Sequence, residues 1–139
     1  PGDEIQFIDG EIFINNKKII RNKIETNELI RCGKFSFKVN AYEEILPNGK
    51  KYIAVYHKEG TQQNTKKYKV PENHFFFLGD NRDCSKDSRF NSVAYVNFIN
   101  LVGKAQIIFF SNDTVKGSLL KFWNLKNSFR FDRTFNKIR

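Results

Sequence analysis

The chain has 139 residues, enough for one domain with a moderate core, and its 40% hydrophobic content argues against disorder. Fifteen Phe, five Tyr and one Trp favour strands over helices, so a mainly β fold is expected. A formal net charge of +9 suits either a polyanionic surface or simple solvation of a Phe-rich domain.

No stretch approaches the roughly 20 apolar residues of a membrane-spanning helix, and no signal peptide opens the chain. Cys32 and Cys84 are too few for a disulfide framework; they can pair or stay free.

In chain order, residues 4–8, 11–14 and 17–20 are short apolar segments separated by Asp9-Gly10 and Asn15-Asn16. Both dipeptides tolerate positive φ, which predicts a three-stranded meander. From Lys34, Phe35, Phe37, Val39 and Ala41 alternate with polar residues, the period-two pattern of a half-buried strand. Pro47-Asn48-Gly49 turns the chain into a return strand over 51–57, with Tyr52, Ala54 and Tyr56 on one face.

Residues 58–69 are polar and lysine-rich and predict an exposed loop. Phe75 to Leu78 is an apolar run of strand length, and a second apolar strand is expected over 101–110. The tail, 116–139, mixes Leu119, Leu120, Phe122, Trp123 and Leu125 with cations. It reads either as an interfacial element among lipid headgroups or as a short helix or strand packed on the sheet.

The chemistry concentrates in residues 79–89: Gly79, Asp80, Asn81, Arg82, Asp83, Cys84, Ser85, Lys86, Asp87, Ser88 and Arg89. A polar loop this dense after an apolar strand is a usual place for a site. Asp80, Asp83 and Asp87 could offer oxygen to a metal. However, a calcium loop counted from Asp80 puts Arg82 and Cys84 at ligand positions, and one counted from Asp83 puts Ala94 where a bidentate Glu belongs. No metal or other cofactor is expected. A histidine-based triad has only His57 and His74 to draw on, and no G-x-S-x-G elbow surrounds any serine. His74 reads as a turn or strand-edge residue.

The run V-P-E-N-H-F-F-F-L-G-D-N-R-D-C-S-K-D-S-R, residues 70–89, resembles the last signature motif of bacterial type I signal peptidases. Pro1-Gly2-Asp3 with Ile8-Asp9-Gly10 resembles the end of that family's lysine motif. Leu101-Val102-Gly103-Lys104-Ala105 resembles its final strand, and Arg130-Phe131-Asp132-Arg133 is a weaker match.

The resemblance implies antiparallel β-sheets of a periplasmic catalytic core with the N-terminal strands missing. Residues 22–69 would form a β-rich insertion, 70–110 the signature loop and core strands, and 116–139 a basic aromatic tail. It also implies a membrane-anchored serine endopeptidase that removes signal peptides with a Ser nucleophile and a Lys base. Both would precede residue 1, along with the oxyanion hole and the membrane anchor, so the chain alone is expected to be inactive. Lysine serves as a base near neutral pH only where burial disfavours its ammonium form.

On that pattern Ser85 is the hydroxyl that orients the base lysine, against the plainer alternative of a turn hydroxyl capping its own loop. Asp87 and Arg89 stabilise the loop, Gly79, Asp80 and Arg82 fix its backbone and ion pairing, and Asn81, Asp83 and Ser88 support it. Cys84 departs from the family's usual Asn and puts one loop hydrogen bond in doubt. Ala94 and Asn97 stand where Gly and Pro are common, and Asn15-Asn16 replaces Asn-Gly.

The implied partners are signal peptides of exported preproteins and an anionic membrane surface on the extracytoplasmic side, with no nucleic acid. Two other readings compete. A basic β module could bind nucleic acid through lysines and stacked Phe, which leaves the loop unexplained. A self-cleaving repressor shares the Ser-Lys chemistry, against which the G-D-N-R-D signature argues.

Overall fold

The computed structural model describes residues 1–27, 29–57, 62–109 and 134–137. It divides into two units, Pro1–Leu101 and Val102–Arg139. The first is built from antiparallel strands, with one short 3-10 turn at Phe98–Asn100.

The meander forms as the turn residues require. Strands β1 (Glu4–Ile8), β2 (Glu11–Ile14) and β3 (Lys17–Lys18) pair in sequence order. Asp9 and Gly10 take φ of 50° and 78°, and Asn15 and Asn16 take 52° and 62°. Positive φ at both central positions matches the right-handed twist of the flanking strands, and these residue types tolerate it. A fourth strand, β9 (Tyr68–Lys69), closes the other edge of β1, so the predicted loop over 58–69 ends in a ladder. Before it, Gly10 N–H donates to the Gln63 carbonyl at 3.0 Å and Phe7 N–H to Thr65 Oγ1 at 3.1 Å.

This sheet buries Ile5, Phe7, Ile12, Ile19 and Val70. Phe76, Leu78, Tyr68 and Tyr95 pack against that cluster. The apolar run from Phe75 to Leu78 therefore serves the core by side-chain packing rather than by ladder. Only β10 (His74–Phe75) pairs, with β11 (Val96–Asn97), which leaves His74 on a strand as expected.

The period-two segment after Lys34 breaks at Val39 into two strands. β6 (Phe35–Lys38) pairs with β5 (Leu29–Cys32) as a separate hairpin. β7 (Asn40–Ile45) lies between β4 (Ile20–Ile24) and the return strand β8 (Lys51–Tyr56). The turn at Pro47-Asn48-Gly49 closes with Gly49 N–H on the Leu46 carbonyl at 2.8 Å and Gly49 at φ 80°.

In the second unit, residues 102–109 carry one bridge, Ile107 to Lys137, in place of the strand expected over 101–110. Ile108 N–H donates to the Asn136 carbonyl at 2.9 Å, and the Phe109 and Phe135 rings meet edge to face at 6.0 Å. The remaining tail residues, 110–133 and 138–139, including the segment 130–133, lie outside the described residues. No described helix is long and apolar enough to cross a membrane.

Candidate functional site

Residues 79–89 leave the core at Leu78 and run alongside β8. Val55 N–H donates to the Asp80 carbonyl at 2.8 Å, and Arg82 N–H donates to the Val55 carbonyl at 2.9 Å. This short parallel bridge between Val55 and Asn81 joins the loop to the segment read as an insertion.

From there the chain makes a single tight turn. Both Cys84 N–H (3.3 Å) and Ser85 N–H (3.0 Å) donate to the Asn81 carbonyl. The turn brings Ser85 back over Gly79, and a Cβ added at Gly79 would coincide with Ser85 Oγ and Cβ. Glycine is needed there because no side chain fits between the two strands of the turn.

Two buried ion pairs brace the turn from opposite sides. Arg82, 1% exposed, pairs with fully buried Glu44 on β7, Nη2 to Oε2 at 2.5 Å. Its Nε donates to the Gly79 carbonyl at 3.0 Å, and its Nη1 donates to Tyr56 Oη at 3.0 Å. Tyr56 in turn donates to Glu44 Oε1 at 2.6 Å. Burial alone would lower the Arg82 pKa, but Glu44 and the two tyrosines reverse this and hold it above its usual value. Burial raises the Tyr52 hydroxyl to about 12, with the Glu44 charge adding to the effect. Tyr56 moves the same way, mainly through burial.

On the far side, Asp87 accepts from Gly79 N–H at 2.9 Å and from Arg89 Nε and Nη2, each at 2.8 Å. Arg89 Nη2 also donates to the Arg82 carbonyl at 2.5 Å. Ser88 and Phe77 exchange two bonds: Phe77 N–H to Ser88 Oγ at 3.0 Å, and Ser88 N–H to the Phe77 carbonyl at 3.1 Å. The charge-assisted bonds between Arg89 and Asp87 are about twice as strong as neutral ones and geometrically selective.

The sequence-predicted residues thus come together on one turn. Asp80 accepts from Asn81 N–H at 2.9 Å, and Asp83 Oδ2 accepts from His57 N–H at 2.9 Å with His57 Nδ1 at 3.3 Å. The Ser85 hydroxyl, half-buried, has no hydrogen-bond partner among the described residues. The plainer reading of a hydroxyl capping its own loop therefore finds no such bond.

Sequence reasoning missed Glu44, Tyr52, Tyr56 and His57, all on or beside the strands of residues 22–69. The face grouping of Tyr52, Ala54 and Tyr56 was a partial signal, since Glu44 stands directly opposite Tyr52 across the ladder. The two cysteines left open are joined: Cys32 and Cys84 form a disulfide, with Cα atoms 5.6 Å apart.

Beside the loop is a cleft of about 360 Å³ lined by Asp3, Ile5, Val70, Phe76, Leu78 and Arg82, among others. The first residues of the chain run along it. Gly2 N–H donates to the Val70 carbonyl and Val70 N–H to the Asp3 carbonyl, both at 2.9 Å. No group of three or more His, Cys, Asp and Glu side chains is placed to hold a metal ion among the described residues.

The Signal peptidase, peptidase S26 family model matches residues 1–110. A signal peptidase I of Rickettsia typhi is 43% identical over 118 residues, covering 80% of this chain and 43% of the relative. One from Rickettsia conorii is 38% identical over 155 aligned positions, covering 99% of this chain and 56% of the relative. The chain thus spans about half the length of the curated relatives it matches. No solved structure matches it significantly. A family match over most of the chain, through the braced loop at 79–89, shows that the chain belongs to the peptidase S26 signal peptidases.

Proposed function

We propose that residues 1–139 supply the supporting half of a signal-peptidase site, and that Ser85 orients a lysine base contributed from upstream of Pro1. The observation that carries this is the position of Ser85. Its hydroxyl is uncommitted among the described residues, on a turn locked by Gly79 and by two buried ion pairs. The first residues of the chain run along the cleft that also touches Arg82 and Leu78. A lysine shortly before Pro1 would enter at that end.

In this reading an upstream serine attacks the scissile carbonyl of a signal peptide. The lysine takes the serine's proton, and Ser85 holds the amine in line without adding charge. The pocket must be apolar for the lysine to be neutral near pH 7, which the cleft's Ile5, Val70, Phe76 and Leu78 support, with Asp3 and Arg82 also in its lining. Because nucleophile and base are both upstream, residues 1–139 alone would not cleave. The longer protein would be anchored in the bacterial plasma membrane with this domain on the extracytoplasmic side.

The exposed cations Lys17, Lys18, Lys66 and Lys67 suit an anionic lipid surface, with Lys18 also paired to Glu11 and Lys67 to Glu4, each at 3.3 Å. Arg21 is more buried. It pairs with Glu11 at 3.1 Å and lies 4.6 Å over the Tyr42 ring.

The test is cleavage of a purified preprotein by the longer protein in detergent. It should cut at the signal-peptide junction, and residues 1–139 alone should leave the substrate intact. Cutting by residues 1–139 alone would place the nucleophile and base within them and refute the arrangement. Sedimentation with vesicles that depends on neither anionic lipid nor salt would refute the lipid contact.

A further inference from the structure

The hairpin of β5 and β6 pairs with no other described strand. Leu29 is 63% and Phe35 68% exposed, so it buries little of its own surface. A lone two-stranded hairpin is marginal in water and keeps its place only through tethers. Two such tethers among the described residues end on adjacent positions of the signature loop. The Phe37 ring stacks on His57 at 4.7 Å, and His57 holds Asp83 through its N–H. The second is the Cys32–Cys84 disulfide.

Those two anchor points lie in the middle of the loop, between its two ion-paired segments. Residues 80–82 are fixed by the bridge to Val55 and by Glu44, and residues 87–89 by the Asp87–Arg89 pair and Phe77. Ser85 sits between these braced segments, and Cys84 directly precedes it. We infer that the Cys32–Cys84 disulfide is a positioning link for Ser85, setting the turn that presents its hydroxyl while clamping the β5–β6 hairpin beside the site. The link rests on the role proposed for Ser85.

The bond is broken by thiol–disulfide exchange. A dithiol such as dithiothreitol gives two electrons and two protons, leaving Cys32 and Cys84 as thiols and itself as a cyclic disulfide. With the longer protein in detergent, three things are measured before and after reduction: thiols titrated under denaturing conditions, circular dichroism, and kcat and KM on a preprotein. Reduction should expose two further thiols and lower kcat about tenfold with KM within about twofold, because misplacing a catalytic group by an ångström is costly to turnover. The Cys32→Ser/Cys84→Ser protein should show the same lowered kcat and not respond to dithiothreitol.

Three results would overturn the link. These are both thiols free before reduction, kcat unchanged after both thiols appear, or a fall in kcat that merely tracks loss of folded protein by circular dichroism. A Ser85→Ala control separates this from the underlying reading. If Ser85→Ala lowers kcat but reduction does not, only the link fails; if Ser85→Ala is fully active, the role of Ser85 itself fails.

Discussion

Glu44→Gln should destabilise the domain by about 3 kcal/mol, the lower end of the range for breaking a buried ion pair. Glu44 is fully buried and Arg82 is 1% exposed, so the guanidinium left behind has no water to turn to. Gln keeps the shape and can still accept from Tyr56 and one guanidinium N–H, which is why the loss should not reach the upper end. For a domain of this size each kcal/mol moves Tm by about 3 °C, giving a fall of about 10 °C in a circular-dichroism melt. The double variant Glu44→Gln/Arg82→Met should recover much of that, since it removes the unpaired charge and fills its volume. A loss below about 1 kcal/mol, or a double variant no better than the single one, would refute the argument that this pair holds the loop to β7.

Two further outcomes follow from the same geometry. Tyr52 rises to about 12 through burial and the Glu44 charge, and Tyr56 shifts the same way, whereas unfolded tyrosines ionise at about 10. Between those values the unfolded chain loses protons that the folded one keeps, so stability should fall as pH rises from about 10 to 12. Absorbance at 295 nm should show these tyrosines silent until the protein unfolds, and their titration near pH 10 in the folded state would count against the buried cluster. Gly79→Ala should cost about 1–3 kcal/mol and displace Ser85, because its Cβ would occupy the space of Ser85 Oγ and Cβ. Wild-type melting and turnover in that variant would show the turn to be looser than described.

Much of the fold could be read from local chemistry. Asp9-Gly10 and Asn15-Asn16 mark turns because few other dipeptides accept positive φ at both positions, and the structure has it at all four. The return strand over 51–56 follows from its alternation and the Pro47-Asn48-Gly49 turn. The apolar run at 75–78 misleads because a continuous hydrophobic stretch reports burial rather than pairing; Phe76 and Leu78 reach the core while the Phe77 backbone bonds to Ser88.

In the site, the loop itself was legible as a dense motif, but its counterparts were not. Glu44 is separated from Arg82 by 38 residues, and on a strand it looks like any surface acid until its cation is placed. The disulfide is similar. Cys32 and Cys84 are 52 residues apart, and only the hairpin's position beside the loop brings them within bonding distance.

The proposed role of the loop depends on the hydroxyl of Ser85, so the decisive measurement is kcat on a preprotein for the longer protein carrying Ser85→Ala and Ser85→Thr. Loss of one hydrogen bond to a charged or reacting amine, about 1.5–3 kcal/mol, should lower kcat roughly 10- to 100-fold in the Ala variant. The Thr variant, which keeps the hydroxyl, should retain most of the activity. Full turnover by Ser85→Ala would contradict the claim that this loop orients the base.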